Sequence, residues 1–287
     1  MLQPSTQQPQ PTQAQAAVTE QATILAVQQY QDTYNQLMGT EVNFSALVMG
    51  LFGVGKSTFL GTGRLPILID SFDPRGTIVF HTDPFLNDLR ESKKIIIRPY
   101  WDEVSDKPKM YAAWEKQWLD DCKSGFIGKF GTYAIDSGTT QLEAMTNYIR
   151  VKKGRGDNIQ IQDYLVIYNM IRDVIKISSS QGADFFYTGH LVDDKNDLTG
   201  EITAVLDTYS RLKSRIPILF TEKYTLCEKQ IPGGIQKILL TQSKGRFRAS
   251  TQLGAKGIFE IEEEPNIKKL LIKAGLPTED KPIPWAK

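Results

Sequence analysis

Short unbroken apolar runs alternate along the chain with longer stretches in which apolar residues recur every three or four positions. Phe44 to Met49 is the first run; Leu65 to Ile69, Ile78 to Phe80, Thr132 to Ile135 and Phe185 to Thr188 repeat it, separated by turn residues. Such runs predict strands buried on both faces. Helical spacing predicts helices over about Pro84 to Ser92, Lys109 to Lys123, Thr140 to Lys152, Ile161 to Ser178 and Thr203 to Lys213. Alternation of this kind predicts an α/β fold: a mainly parallel central sheet flanked by helices on both faces.

The pattern changes toward the ends. Lys223 to Lys229 and Ile235 to Thr241 flank Pro232-Gly233-Gly234, which predicts a β-hairpin within an extension over residues 220–250. A closing helix is expected from about Asn266 to Ala274, and residues 277–287 form a tail. Residues 1–21 are Gln, Pro, Thr and Ala with almost no large apolar side chain, so ordering them buries too little to offset lost entropy, and a disordered tail is expected. A short partner-binding arm is the rival reading of that composition. Ile24, Leu25, Val27, Tyr30, Tyr34 and Leu37 then predict a helix within residues 22–40, ending at Gly39. The main domain is expected over residues 41–276.

Composition narrows the partners. Lys and Arg number 34 against 33 acidic residues, a net charge of +1 in 287 residues, so no global field favours nucleic acid or an anionic membrane. Cys122 and Cys227 lack metal-ligand spacing and read as free thiols of a reducing compartment. No stretch reaches the roughly 18 apolar residues of a membrane span, and Met1 to Ala17 lacks a signal-peptide pattern, so a cytosolic protein without membrane partners is expected.

The chemistry concentrates after the first strand, at Gly50-Leu51-Phe52-Gly53-Val54-Gly55-Lys56-Ser57-Thr58. A strand before G-x-x-x-x-G-K-[ST] and a helix after it are the context this phosphate loop requires. Its glycines let backbone N–H groups turn toward phosphates. Lys56 is expected to reach the β- and γ-phosphates of ATP, Ser57 to ligate Mg²⁺ through its hydroxyl, and Thr58 to contact the α-phosphate. A glycine-rich turn that binds nothing is the rival.

Gly131 to Ile135 ends in Asp136-Ser137, as a strand-end aspartate that holds Mg²⁺ does; a helix cap before Gly138-Thr139-Thr140 is the alternative. Phe185-Phe186-Tyr187-Thr188-Gly189-His190 is read as a buried strand ending in His190. The carboxyl ends of parallel strands face the ligand crevice, so His190 is expected near the γ-phosphate, where it could report hydrolysis to the following loop; a hydrogen-bonded edge histidine is the rival. His81 is read as structural. Asp70 and Asp73 are the candidates for a carboxylate that polarises water, or else turn residues before Pro74 and Gly76.

These pieces, with Thr188-Gly189-His190, Leu198-Thr199-Gly200-Glu201 and Lys244-Gly245-Arg246-Phe247-Arg248, resemble phage-type RecA-like P-loop ATPases. This AAA-domain group includes recombination and single-strand annealing proteins, and the resemblance runs from about Phe44 to Leu276. It implies an Mg²⁺-dependent ATPase acting in DNA recombination, replication or repair in the cytoplasm of an infected bacterial host. It also implies a homo-oligomer on single-stranded DNA, with a single-strand-binding or replication protein as a further partner. Lys244, Arg246 or Arg248 would reach a neighbouring subunit's γ-phosphate, unless the hairpin edge is basic only to discourage pairing. One departure is Ser71-Phe72-Asp73, where the family often carries a glutamate. Lys152-Lys153-Gly154-Arg155-Gly156 is the candidate DNA loop, with a solvated loop as its rival. An assembly or loading factor acting on a protein is the alternative function. A small-molecule phosphotransferase would need an arginine-rich lid, which the acidic stretch Val192 to Thr199 does not supply.

Overall fold

The computed structural model describes residues 21–29, 43–156, 159–209, 211–254, 257–283 and 285, and the chain divides into two units between Val42 and Asn43. In the first unit residues 21–29 are helical (α1). The rest of the expected helix to Gly39, and most of the expected tail before it, lie outside the described residues.

The second unit is built on one sheet. Its strands are β1 (Ser45–Gly50), β2 (Ile67–Ser71), β3 (Ile95–Pro99), β4 (Thr132–Asp136), β5 (Asp184–Lys195), β6 (Ile202–Leu206), β7 (Glu222–Ile231), β8 (Gly234–Leu240) and β9 (Glu262–Glu263). The order is β3-β2-β4-β5-β1-β7-β8-β9, parallel from β3 through β7 and antiparallel from β7 onward. The α/β fold expected from the sequence is therefore present.

The helices are α2 (Lys56–Leu60), α3 (Val79–Thr82), α4 (Pro84–Glu91), α5 (Met110–Ser124), α6 (Gly138–Lys152), α7 (Ile161–Ser179), α8 (Leu212–Arg215) and α9 (Ile267–Ala274). They cover both faces because the central strands are apolar on both. Leu47 and Met49 of β1 pack with Trp114 of α5, Met145 of α6 and Ile171 of α7, while Ala46 and Val48 pack with Phe59 of α2, Leu86 of α4 and Leu270 of α9. Alternate side chains of one strand thus feed two cores.

Three expectations are corrected. Ile78 to Phe80 is not a strand: a single 3₁₀ turn leads into α3, and Asp83 then caps α4 by accepting from the N–H groups of Phe85 and Leu86. Thr203 to Lys213 is not one helix: residues to Leu206 form β6, with Ala204 and Leu206 buried at a period of two against an extension of β5. β5 itself does not end at His190. It leaves the parallel sheet there and continues from Leu191 to Lys195 as an antiparallel ribbon with β6. The strand Ile95–Pro99, whose isoleucine run the sequence displays, was not among the expected elements.

The expected hairpin forms, and it overhangs. β1 pairs with β7 only from Ala46↔Glu222 to Gly50↔Leu226, whereas β7 and β8 stay paired out to Ile231↔Gly234. The free end of this ribbon therefore projects past the point where β1 turns into the glycine loop. At the opposite end, the segment expected as a C-terminal tail is tied down. The Leu65 amide donates to Asp280 at 2.7 Å, the Lys281 amide donates to the Leu65 carbonyl at 2.7 Å, and the Trp285 ring lies 5.3 Å from Phe130. No helix among the described residues is long and apolar enough to cross a membrane.

Candidate functional site

Parallel strands share one carboxyl edge, and here that edge gathers the loop after β1, Phe72 and Asp73 after β2, Asp136 at the end of β4 and His190 within β5. Register fixes the neighbours: Gly50 lies beside His190 and Ser71 beside Asp136. The glycine loop wraps with Gly53 at φ 77° and Gly55 at φ 101°, both left-handed, before α2 begins at Lys56.

Lys56 is buried beneath the loop. Its Nζ donates to the carbonyls of Gly50 at 3.2 Å and Leu51 at 3.1 Å, and to Nδ1 of His190 at 3.2 Å. Burial pushes the lysine down from its ordinary value, against the pull of Asp136 and Asp73. The Ser57 hydroxyl donates to Asp136 Oδ2 at 2.7 Å, and Thr188 donates to Oδ1 at 2.6 Å. Burial, reinforced by the charge of Asp73, pushes the Asp136 carboxyl up despite these bonds. A buried carboxylate beside a serine hydroxyl is a hard oxygen pair. It suits Mg²⁺, which takes few protein ligands and completes its shell with phosphate and water oxygens. Among the described residues no group of three His, Cys, Asp or Glu side chains is arranged to hold a metal ion by itself.

Asp73 and His190 form the second half. His190 Nε2 lies 3.2 Å from Asp73 Oδ2, and the hydroxyls of Ser137 and Thr140 each donate to Asp73 Oδ1 at 2.7 Å. With Lys56 donating to Nδ1, the Nε2–H tautomer satisfies both sides of the ring. Burial pushes the Asp73 carboxyl up, but the hydrogen bonds from His190, Ser137 and Thr140 outweigh it and hold the group at about 2. The Thr139 hydroxyl accepts the His190 backbone N–H at 2.9 Å. Phe52, at the tip of the loop, is 91% exposed with its ring 6.2 Å from that of His190.

Asp70 does not join this group. Leu68, Asp70 and Phe72 point to the face covered by α5, so the Asp70 carboxylate is fully buried there. It accepts from Arg98 Nε at 2.7 Å, Trp114 Nε1 at 2.8 Å and the Tyr133 hydroxyl at 2.8 Å. Its lone pairs are committed to holding β2, β3, β4 and α5 together. Lys244, Arg246 and Arg248 pair with Glu262, Asp193 and Glu201 respectively. His81 sits exposed in the last turn of α3. In the candidate DNA loop, Lys153 lies 2.6 Å and Arg155 3.2 Å from Asp163, which caps α7. Lys152 lies over the Tyr148 ring, 5.2 Å from its centre.

In the sequence Ser137 reads only as the end of the Asp136 strand, and Thr139 and Thr140 only as the start of the following helix; their hydroxyls turn out to hold Asp73 and His190. The signal was their position directly after a strand-end aspartate. Lys237, whose ammonium lies over Gly55, carried no local signal at all.

No protein-family model matches the chain, and no curated protein matches it in sequence. Among solved structures, it is similar to the KaiC-like protein PH0186 from the hyperthermophilic archaeon Pyrococcus horikoshii OT3. The two share 11% identity at a TM-score of 0.42, over 73% of this chain and 82% of that one.

Proposed function

We propose that this chain is a RecA-like P-loop ATPase of phage type that acts in DNA recombination, replication or repair as an oligomer on single-stranded DNA. The observation that carries the ATPase reading is the convergence of Lys56, the Ser57–Asp136 pair and the His190–Asp73 pair on one edge of the parallel sheet. Lys56 exchanges the Gly50 and Leu51 carbonyls for β- and γ-phosphate oxygens. Ser57 and Asp136 would hold Mg²⁺, which would supply charge neutralisation at those oxygens. Asp73, ionised and fixed by three hydrogen-bond partners, orients and polarises the attacking water. His190 bridges Asp73 and Lys56, so it meets both the nucleophile's side and the phosphate's side of the reaction.

Lys56→Ala is expected to abolish ATP hydrolysis, read as phosphate release, and retained hydrolysis would overturn the ATPase reading. The DNA role is tested by measuring ATPase with and without single-stranded DNA, and filter binding as salt is varied. It is expected to show stimulation and binding that weakens with salt; the absence of both would exclude it. The engagement of Lys153 and Arg155 by Asp163 favours a second reading, an ATP-driven assembly or loading factor for a protein partner. Native mass spectrometry with and without ATP, on the full chain and on one starting at Thr40, separates the two. Loss of a protein partner with ATPase retained supports the second.

A further inference from the structure

The overhanging β7–β8 ribbon brings one more cation to the glycine loop. β-strand alternation puts Lys237 on the same face as Leu239, which is buried in one cluster with Leu226 of β7 and Val54 of the loop. One step beyond Leu239, the Lys237 side chain clears the end of β1 and lies across Gly55. Its Nζ stands 2.7 Å, its Cδ 3.5 Å and its Cε 3.6 Å from the place a Cβ on Gly55 would occupy. Any side chain at Gly55 would displace this ammonium, so the glycine serves the approach of Lys237 as well as its own left-handed backbone.

The partners of the neighbouring lysines sharpen the point. Lys229 of β7 lies 2.6 Å from Glu262, and Lys244 pairs with the same carboxylate. Lys237 stands opposite Glu228 in the ribbon, yet it makes no ion pair with any acid among the described residues. An ammonium without a carboxylate partner, resting on a loop whose N–H groups suit anions, lacks only a negative charge to offset its own.

We propose that Lys237 is a second phosphate-binding cation, delivered to the glycine loop from within the same subunit by the β7–β8 ribbon, which contacts the α- and β-phosphates of a bound nucleoside di- or triphosphate. The proposal rests on the nucleotide-binding reading of the loop. In a phosphate loop the backbone N–H groups cradle the α/β-phosphates, whereas the lysine after the last glycine reaches the β/γ-phosphates. Lys237 therefore acts on ADP and ATP alike, and acts on binding rather than on the hydrolytic step.

The test measures affinity for ADP and for a nonhydrolysable ATP analogue in the wild type, Lys237→Gln and Lys237→Arg, together with kcat and KM for ATP. Because Lys237 is exposed, the glutamine variant is expected to keep the fold, and a matching thermal melt confirms that it has. Loss of one charge-assisted contact is expected to weaken both nucleotides about tenfold, to raise KM by a similar factor and to leave kcat within about twofold. Lys237→Arg is expected to recover most of the affinity. Unchanged affinity in Lys237→Gln, or a fall in kcat at constant KM, overturns the proposal while wild-type binding upholds the loop's role. A wild-type protein that binds neither nucleotide overturns the underlying reading and the proposal with it.

Discussion

Asp73 and Asp70 lie three positions apart, yet the pleat sends them to different fates. Asp73 sits beyond the strand, where His190, Ser137 and Thr140 converge on it; Asp70 is sealed beneath α5 by Arg98, Trp114 and Tyr133. Asp73→Asn is accordingly expected to lower kcat by about 10²–10⁴ with nucleotide affinity nearly unchanged, measured by single-turnover hydrolysis and equilibrium binding. The same residue sets a pH dependence. Its carboxyl is lowered from 3.8 to about 2 in the folded protein, so its contribution to stability is complete above about pH 4 and is lost as pH falls through about 2. Thermal melts over that range should steepen in the wild type relative to Asp73→Asn, and identical acid limbs would refute the assignment. Asp70→Ala leaves Arg98 without its main partner and is expected to destabilise the fold by about 3–5 kcal/mol, read by urea unfolding, with nucleotide affinity retained. A loss of affinity instead would place Asp70 in the site after all.

At the scale of elements, what the sequence displays is whatever local pattern can encode. The glycine loop, the buried strands β1, β2 and β4, and the turn at Pro232-Gly233 were legible because apolar runs and turn chemistry are local. β6 was not. Ala204 and Leu206 alternate as a strand needs, but the three-to-four spacing of apolar residues from Thr203 onward also fits a helix, and only the partner strand in the β5 extension decides. The same reason hid the length of β5: Val192, Asp193 and Asp194 read as a loop until β6 supplies their hydrogen bonds. In the site, the lysine, serine and aspartates could be named from spacing. The choice between Asp70 and Asp73 could not, because it depends on which face each side chain takes and on Arg98, Trp114 and Tyr133, far away in sequence. Lys237 was invisible for a related reason: its importance comes from the overhang of a hairpin, a property of register between β1 and β7.

At the scale of the whole molecule, the basic segment Lys244 to Arg248 meets acids of its own chain, with Arg246 on Asp193 of β5 and Arg248 on Glu201 beside β6. Exposed ion pairs of this kind contribute little, about 0–1 kcal/mol, and are readily exchanged for a stronger anion. If a neighbouring subunit's nucleotide supplies that anion, Arg248→Ala is expected to leave nucleotide binding by the dilute protein intact. It would remove the rise in turnover per subunit as protein concentration increases, a dependence that an ATPase titration reads directly; an unchanged dependence would exclude Arg248 from the role.

The continuity of β5 has a mechanical consequence. His190 is the last residue of that strand held in the parallel sheet, and Leu191 is the first held in the ribbon with β6. From there the ribbon runs about 13 Å to Lys195 at the rise of a β-strand, and Leu198 at its tip is 96% exposed. A hydrogen-bonded ribbon transmits displacement as tilt, so a small rotation at His190 is magnified at Leu198. With a nucleotide bound at this edge, the segment is expected to act as a lever with its fulcrum at His190, carrying a displacement outward without having to melt and reorder.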